Sequence, residues 1–437
     1  NILGDRNVAI GYRSLYTYNR STSHDSYNVG VGNESLYNTT TGAYNVSLGG
    51  LSLYTNATGN NNVAVGYKAL YDNTSSGNVA VGGHALENNS TGAGNIAVGY
   101  ASLITNTTGN YNIAIGYDSL QQNTGSNNVA VGHDTLKQNA AGAYNIAVGA
   151  NALDANTSGD YNVAVGHEAL TTNTTTNGNT AVGFYALRVC TAAKNTAMGT
   201  NAGLSISTGV ENTVVGYNAL DACTTGGENT AVGEQALTTV STGNNNTAVG
   251  RMALRLTTGS DNTAVGRESC RDATTGSYNS MFGRSAAENM TTGSNNTCLG
   301  SNAGRYADPF QLTSQDNRVV IGDGSVTNAY ITVDWTIVSD KRDKVDFGEV
   351  PHGLDFVNKL KPKSFWRRKE RDSDEKQGPQ RYGFVAQDII ALEGDNPIII
   401  DNEQEEKLKY TESHLIPVLV KAIQDLSAKV EELESRQ

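Results

Sequence analysis

Few side chains in this sequence could do chemistry, and spacing disqualifies most of them. Cys190 and Cys223 occupy the same phase of an internal repeat, two repeats apart, which is about 10 Å at the usual strand spacing and too far for a bridge. Cys270 and Cys298 fall in different phases and no CxxC pair exists, so the cysteines read as small buried thiols, with no metal site and no cofactor expected. His133 and His167 share a phase, but a whole coil separates them and one chain cannot bring both to a metal. Asn-X-Thr sequons at Asn38, Asn106 and Asn156 follow from a recurring turn motif and say little about glycosylation. A ladder of Thr residues could suit an ice-binding surface, yet turn formation explains it equally well. No pair of acidic phases offers the carboxylates, roughly 5 to 9 Å apart, that glycan cleavage needs. The densest polar stretch is Ser339-Asp340-Lys341-Arg342-Asp343-Lys344. Taken alone, it reads as a charged surface loop.

That stretch stands where the composition changes. Residues 340–437 hold 17 of the 31 Lys and Arg and 21 of the 43 Asp and Glu, so charged residues are 38 of 98 there and 36 of the preceding 339. The long first part is rich in Gly, Asn, Thr and Ala, but its apolar residues recur at fixed spacing, which excludes disorder. The net charge of −12 is spread over both parts, so neither nucleic acid nor an anionic membrane is an expected partner. No apolar run approaches the roughly 20 residues of a membrane helix, and Asn1-Ile2-Leu3-Gly4 is not a targeting segment. Because the chain opens almost directly into a repeat, the expectation is that a further N-terminal part precedes residue 1.

A marker Asn recurs from Asn7 and Asn28 to Asn296, and after the first gap of 21 every step is 16 or 17 residues. Each of these 18 Asn has a Gly four residues on, and 14 have a Leu eight residues on; an offset nineteenth copy, Asn317 to Gly322, closes the array. A unit this short suits one coil of a β-solenoid with two short strands. Asn62-Val63-Ala64-Val65-Gly66 forms the first strand, Lys68-Ala69-Leu70 sits on the second, and segments such as Thr107-Thr108-Gly109 turn the chain. Nineteen coils stacked at about 4.8 Å make a rod of roughly 90 Å. Both faces of the first strand are apolar, and a narrow interior can take only one; association of several chains covers the other. The array has two zones. The residue after the marker is Val or Ile from Val8 to Val163, then Thr or Ser from Thr180 to Thr297, which reads as a change of chain packing or as a receptor-facing surface. The motif resembles the head repeats of trimeric autotransporter adhesins, and that resemblance implies a left-handed parallel β-roll packed as a homotrimer. The β-barrel anchor of those adhesins has no counterpart here.

Beyond Gly322 the period stops. Tyr330 to Val338 alternates like a strand, with Ile331, Val333, Trp335 and Ile337 on one face, and forms a neck over 323–338. The stretch from Ser339, the block Gly353 to Pro362, the block Tyr382-Gly383-Phe384-Val385-Ala386-Gln387-Asp388 and the segment from Tyr410 to Leu433 together resemble the C-terminal intramolecular chaperone peptidase of phage endosialidase tailspikes, other tail fibres and myelin regulatory factor. The resemblance spans 339–437. It implies a Ser-Lys catalytic dyad at Ser339 and Lys344, with self-cleavage at or beside Ser339-Asp340. The chemistry is coherent, because a serine hydroxyl needs a base, and a lysine serves only where burial lowers its pKa from about 10.4. A five-residue offset does not align two side chains on a helix, so a loop or strand turn must join them.

Ile416, Leu419, Ile423, Leu426, Val430 and Leu433 are spaced 3, 4, 3, 4, 3, which predicts a coiled-coil helix over about 413–435 with Pro417 in its first turn. Its task is to hold chains in register while the slow, non-local solenoid pairs. The expected fold is mainly β, a solenoid shaft over 1–322 followed by a small α+β chaperone domain. The expected function is a viral attachment fibre or tailspike shaft, located on the virion. Its expected partners are two copies of itself, other virion or tail proteins through the N-terminal part, and a host glycan or protein receptor. Alternatives are a bacterial cell-surface adhesin with the same tail and a glycan-degrading tailspike.

Overall fold

The computed structural model describes residues 6–18, 26–306, 311–326, 329–330, 339, 341–368, 373–395, 397–402 and 408–436. Two units separate, one holding residues 1–305 and 311–321, the other residues 306–310 and 322–437. In the first unit nineteen strands of three residues, β1 (Val8–Ile10) to β19 (Val319–Ile321), pair in parallel, each with the strands of the adjacent coils. Register follows the repeat phase: Val63, Ala64 and Val65 lie opposite Val79, Ala80 and Val81. The expected mainly β solenoid is therefore built one repeat to the coil.

Of the two apolar strand faces, the bore takes the small one. Ala64, Ala80, Ala97 and Ala114 are fully buried, while flanking residues such as Ile115 and Ile146 remain about two-fifths exposed (41 % and 43 %). Fourteen of the eighteen coils already send one leucine inward, Leu70, Leu86 and Leu103 among them, each fully buried. The longest residue at the alanine site, Met281, sits in the coil where Ala287 stands in place of leucine, while Val214 fits beside an intact Leu220. The large aliphatics are thus left as an outward stripe along the strand face.

The second strand expected at Lys68-Ala69-Leu70 is not one. Backbone handedness alternates there, with φ +135° at Gly66, +57° at Lys68 and +54° at Leu70. A left-handed conformation costs a residue with a β-carbon on the order of 1 kcal/mol, and full burial of the leucine offsets it with about 1.5 to 3 kcal/mol. The amides still bond between coils, Lys68 N–H to Gly50 O at 3.0 Å and Leu70 N–H to Ala85 O at 3.0 Å. Gly66 has no alternative residue type, because a Cβ there would lie 2.5 Å from the carbonyl oxygen of Gly82 in the next coil.

The marker asparagines form a continuous interior ladder. The Oδ1 of Asn95 accepts the N–H of Asn112 at 2.9 Å, and the Nδ2 of Asn95 donates to Gly109 O at 2.8 Å. Equivalent links run from Asn7, which accepts from Asn28 N–H, to Asn296, which accepts from Arg318 N–H. A buried amide is tolerable only when so satisfied. A second ladder, Asn56 to Asn173, lines the same bore: Nδ2 of Asn89 donates to Asn73 Oδ1 at 2.7 Å, and Nδ2 of Asn106 donates to Asn89 Oδ1 at 2.9 Å. Six of its members, Asn56, Asn73, Asn89, Asn106, Asn156 and Asn173, are sequon asparagines and are fully buried. At that phase Cys190, Ile206, Cys223 and Val240 then take over, also buried. The takeover falls in the same coil as Thr180, the first residue to replace the outward Val or Ile. Apolar surface is thus exchanged between the outside and the bore at the zone boundary.

The turn threonines are occupied. Thr191 Oγ1 donates to Ser207 O at 3.0 Å and Thr274 Oγ1 to Thr291 O at 3.0 Å, each one coil on. Their hydroxyl protons hold coils together.

The second unit comprises α1 (Leu354–Val357), an antiparallel hairpin of β20 (Lys363–Arg368) and β21 (Lys376–Gly383), α2 (Ala386–Glu393), the short pair β22 (Ile400–Asp401) and β23 (Lys409–Tyr410), and α3 (Glu412–Ser435). Its core is Phe356, Ile389, Ile399, Ile400, Leu415 and Val418. Pro417 is the sixth residue of α3 rather than in its first turn, so the helix forgoes one backbone bond at the Ser413 carbonyl. The strand expected over Tyr330 to Val338 lies, beyond Tyr330, outside the described residues.

Candidate functional site

The resemblance-based dyad is assembled by local backbone. A 3-10 turn at Lys341–Asp343 reverses the chain, Lys344 N–H bonds to Lys341 O at 3.2 Å, and Lys344 Nζ reaches Ser339 Oγ at 2.5 Å. A helix could not close a five-residue offset in this way; the tight turn does. Nζ donates to Oγ in this arrangement. A base would do the reverse, accepting the hydroxyl proton with a neutral amine. Both side chains are exposed in the single chain. Asp340, the other residue of the expected cleavage site, lies outside the described residues.

The segment that carries Lys344 continues through Val345 and Phe347, which are 83 % and 66 % exposed. Lys341 Nζ lies 5.9 Å from the centre of the Phe347 ring. These exposed aliphatic and aromatic side chains beside the lysine of the expected dyad were not singled out from sequence. The alternation Val345-Asp346-Phe347 was the available signal.

The six expected seam residues of α3 all face outward. Exposure ranges from 39 % at Leu419 to 64 % at Ile423, with Ile416, Leu426, Val430 and Leu433 between. A different face, Leu415, Val418 and Ala422, packs on the domain's own core. The helix is thus apolar on two faces, one satisfied within the chain and one open. Its position is fixed by Asp425, whose Oδ2 accepts Leu354 N–H at 3.1 Å and whose carboxylate pairs with Lys421 at 3.2 Å. The bond from Leu354 and the pair with Lys421 hold the Asp425 pKa below the usual carboxylate range. Gly353 makes room for this join: a Cβ there would fall 2.1 Å from Asp425 Oδ2 and displace the carboxylate. Glu393 ties the loop after α2, accepting the N–H groups of Ile398, Ile399 and Ile400 at 2.8, 2.7 and 3.1 Å. Neither Asp425 nor Glu393 was marked in the sequence, where each is one acid among many.

In the solenoid, His133 and His167 lie beside carboxylates, at 3.4 Å from Asp134 and 3.9 Å from Glu168. All four cysteines are free and buried. Burial raises the Cys223 thiol pKa to about 11 and that of Cys298 to about 12, and raises those of Cys190 and Cys270 as well.

The fold defines a parallel β-solenoid followed by a small mixed domain that ends in a long helix. Residues 339–396 match the family model described as the chaperone of endosialidase, a match that begins on Ser339 and takes in Gly353, the hairpin and α2. No curated protein and no solved structure matches the chain. The C-terminal domain is therefore similar to the chaperone domain of tailspike and fibre-type proteins.

Proposed function

We propose that the chain is the shaft of a viral attachment fibre, assembled as a homotrimer by its C-terminal domain, which then cuts the chain at or beside Ser339-Asp340. The observation that carries this is the 2.5 Å approach of Lys344 Nζ to Ser339 Oγ at the first residue of the family match. In the reaction, neutral Lys344 takes the Oγ proton as Oγ bonds to the carbonyl carbon of the adjacent peptide. The C–N bond then breaks, and the leaving amine receives that proton from Lys344. Water hydrolyses the resulting ester, which frees a carboxylate and restores the serine hydroxyl.

Two open apolar surfaces support the assembly half of the reading. The outward face of α3 repeats at coiled-coil spacing, and the Val and Ile stripe runs along the solenoid strands. Each coil pairs only with its neighbours and cannot bury its outward stripe alone, so a helix that gathers chains first removes the concentration penalty. Cleavage afterwards leaves a shaft that cannot refold by the same route and is held by its unfolding barrier. Attachment would then use the shaft surface against a host glycan or protein.

The test is a gel of the full chain, expressed and allowed to associate. Wild type is expected to split as it associates, and Ser339→Ala and Lys344→Ala to associate and stay full length. A wild-type trimer that never splits overturns the self-cleavage half. Splitting in the Lys344→Ala variant overturns the dyad.

A further inference from the structure

Along the solenoid, exposed rings stack at the residue after the conserved Gly. Tyr100 and Tyr117 lie 5.4 Å apart between ring centres at 16°, Tyr117 and His133 5.5 Å apart at 13°, and His167 and Phe184 5.5 Å apart at 15°. Rings stacked in this way turn their faces to one another and their edges to solvent. A face is open only where the column is interrupted, as at Ala150 between His133 and His167. Two coil steps separate those rings, about 10 Å at the usual strand spacing, so a flat group there would lie about 5 Å from each, within the range of stacked and cation–π pairs.

The chain itself fills an equivalent interruption at Gly83. His84, the next residue, inserts its ring between Tyr67 and Tyr100, 5.5 Å from each, and its Nδ1 meets the Glu87 carboxylate at 2.6 Å. The Ala150 coil keeps two of these three parts: a ring on either side and, at the phase of Glu87, the carboxylate of Asp154. At the phase of His84 it has Asn151, which carries no ring. Asp134 and Glu168 on the adjacent coils pair with Lys137 at 3.0 Å and Arg188 at 2.7 Å, whereas one carboxylate oxygen of Asp154 is buried without a hydrogen-bond partner. Burial, and after it the charge of Asp134 and Glu168, raises the Asp154 pKa, so a positive group is favoured there. At the other single interruption, Thr200 between Phe184 and Tyr217, the carboxylate phase holds Leu204.

We propose that the interruption at Ala150 binds the guanidinium of an arginine displayed by a host protein, held flat between His133 and His167 with Asp154 accepting its N–H groups. A guanidinium is planar, always charged and rich in donors, which matches open ring faces beside a carboxylate oxygen that lacks a partner. A neutral sugar brings hydroxyls but no charge. The partner's identity as a host protein rests on the attachment reading; the site itself does not.

The chain has six histidines, so labelling them selectively gives few resonances in the full-length protein. At neutral pH and about 0.15 M salt, N-acetylarginine amide is expected to shift the His133 and His167 signals saturably, with millimolar affinity. N-acetyl-lysine amide, equal in charge but without a flat face, and methyl mannoside are expected to shift neither. Ala150→Tyr completes the column with the ring that the same phase accepts at Tyr100 and Tyr117 and should abolish the effect, and Asp154→Asn should weaken binding about fivefold. If Ala150→Tyr fails to fold, Ala150→His is read by the same criteria, since both adjacent coils carry histidine there. No shift with the arginine probe, equal shifts with lysine, shifts with the sugar alone, or an effect that persists in Ala150→Tyr overturns the site and leaves the attachment reading untouched. Host cells should retain the wild-type fibre and lose Ala150→Tyr. Equal retention of both overturns the host-protein assignment, and retention of neither overturns the attachment reading while the site stands.

Discussion

Truncating marker asparagines in the two zones should give unequal losses, and the structure sets the ratio. In Asn229→Ala two buried groups lose their partners. One is Asn246 N–H, which donates to Asn229 Oδ1 at 3.0 Å, and the other is Gly243 O, which accepts from Asn229 Nδ2 at 2.9 Å. In Asn112→Ala only Asn128 N–H is orphaned, from a bond of 3.0 Å, because Gly125 O keeps a 2.9 Å bond from Asn123 of the second ladder. An orphaned buried group costs about 1–3 kcal/mol. The expected losses per chain are therefore about 2–6 kcal/mol for Asn229→Ala and about 1–3 kcal/mol for Asn112→Ala. Urea titration gives the global figure, provided the slope is unchanged. Deuterium uptake locates the damage: protection should fall at Asn246 or Asn128 and decline with distance along the coils, since each coil touches only its neighbours. Equal losses in the two variants, or losses within the about 0.5 kcal/mol of a surface substitution, would refute the reasoning.

The open seam predicts a clean separation of folding from association. Ile423→Asp, at a position 64 % exposed in the single chain, should leave the stability of the C-terminal domain within about 0.5 kcal/mol while abolishing association, because a buried charge on each helix has no partner; unchanged sedimentation would contradict the seam. The cysteines predict a pH dependence. Their folded pKa values are raised by burial, to about 11 at Cys223 and about 12 at Cys298, so their contribution is complete below the unfolded value of about 8.5 and is lost as pH rises through the folded values. Wild-type shaft stability should fall faster between pH 8.5 and 11 than that of a chain with all four cysteines replaced by alanine, and thiol labelling at pH 8 should begin only on unfolding. Parallel decline of both chains, or labelling of folded shaft, would show the thiols to be accessible.

The solenoid was readable because its period is a statement about backbone length: 16 or 17 residues admit one coil and little else. Whether alanine or valine faced inward was not readable from the strand alone, since both faces are apolar. It is decided by Leu70 and its equivalents, which already fill the bore. Lys68 to Leu70 was misread as a strand because leucine seldom takes positive φ, and nothing local announces that inter-coil bonding and burial will force it. The marker Asn stood out as a landmark while its role as a bonded interior ladder stayed hidden, because asparagine next to valine could equally begin a turn. In the tail, the approach of Ser339 to Lys344 came from a family likeness, and only the 3-10 turn explains it physically. The seam was legible from its 3-4 spacing. The contacts that hold α3 in place were not, because Asp425 and Gly353 lie more than seventy residues apart in the chain.

The Asn ladder bears on how such shafts can change over generations. Every link joins equivalent positions one repeat apart, so removing or duplicating a whole repeat returns each remaining asparagine to a partner of the same kind. Repeats of 16 and 17 residues coexist because the difference falls in the turn before the marker: Asn73 and Asn78 are five residues apart, whereas Asn56 and Asn62 are six. Shaft length can therefore drift in steps of one coil, with the extra or missing residue absorbed at a corner. A single insertion between Asn62 and Leu70, by contrast, would put the wrong side chain in the bore. Reach is then the freely heritable variable of this architecture, and cross-section the fixed one.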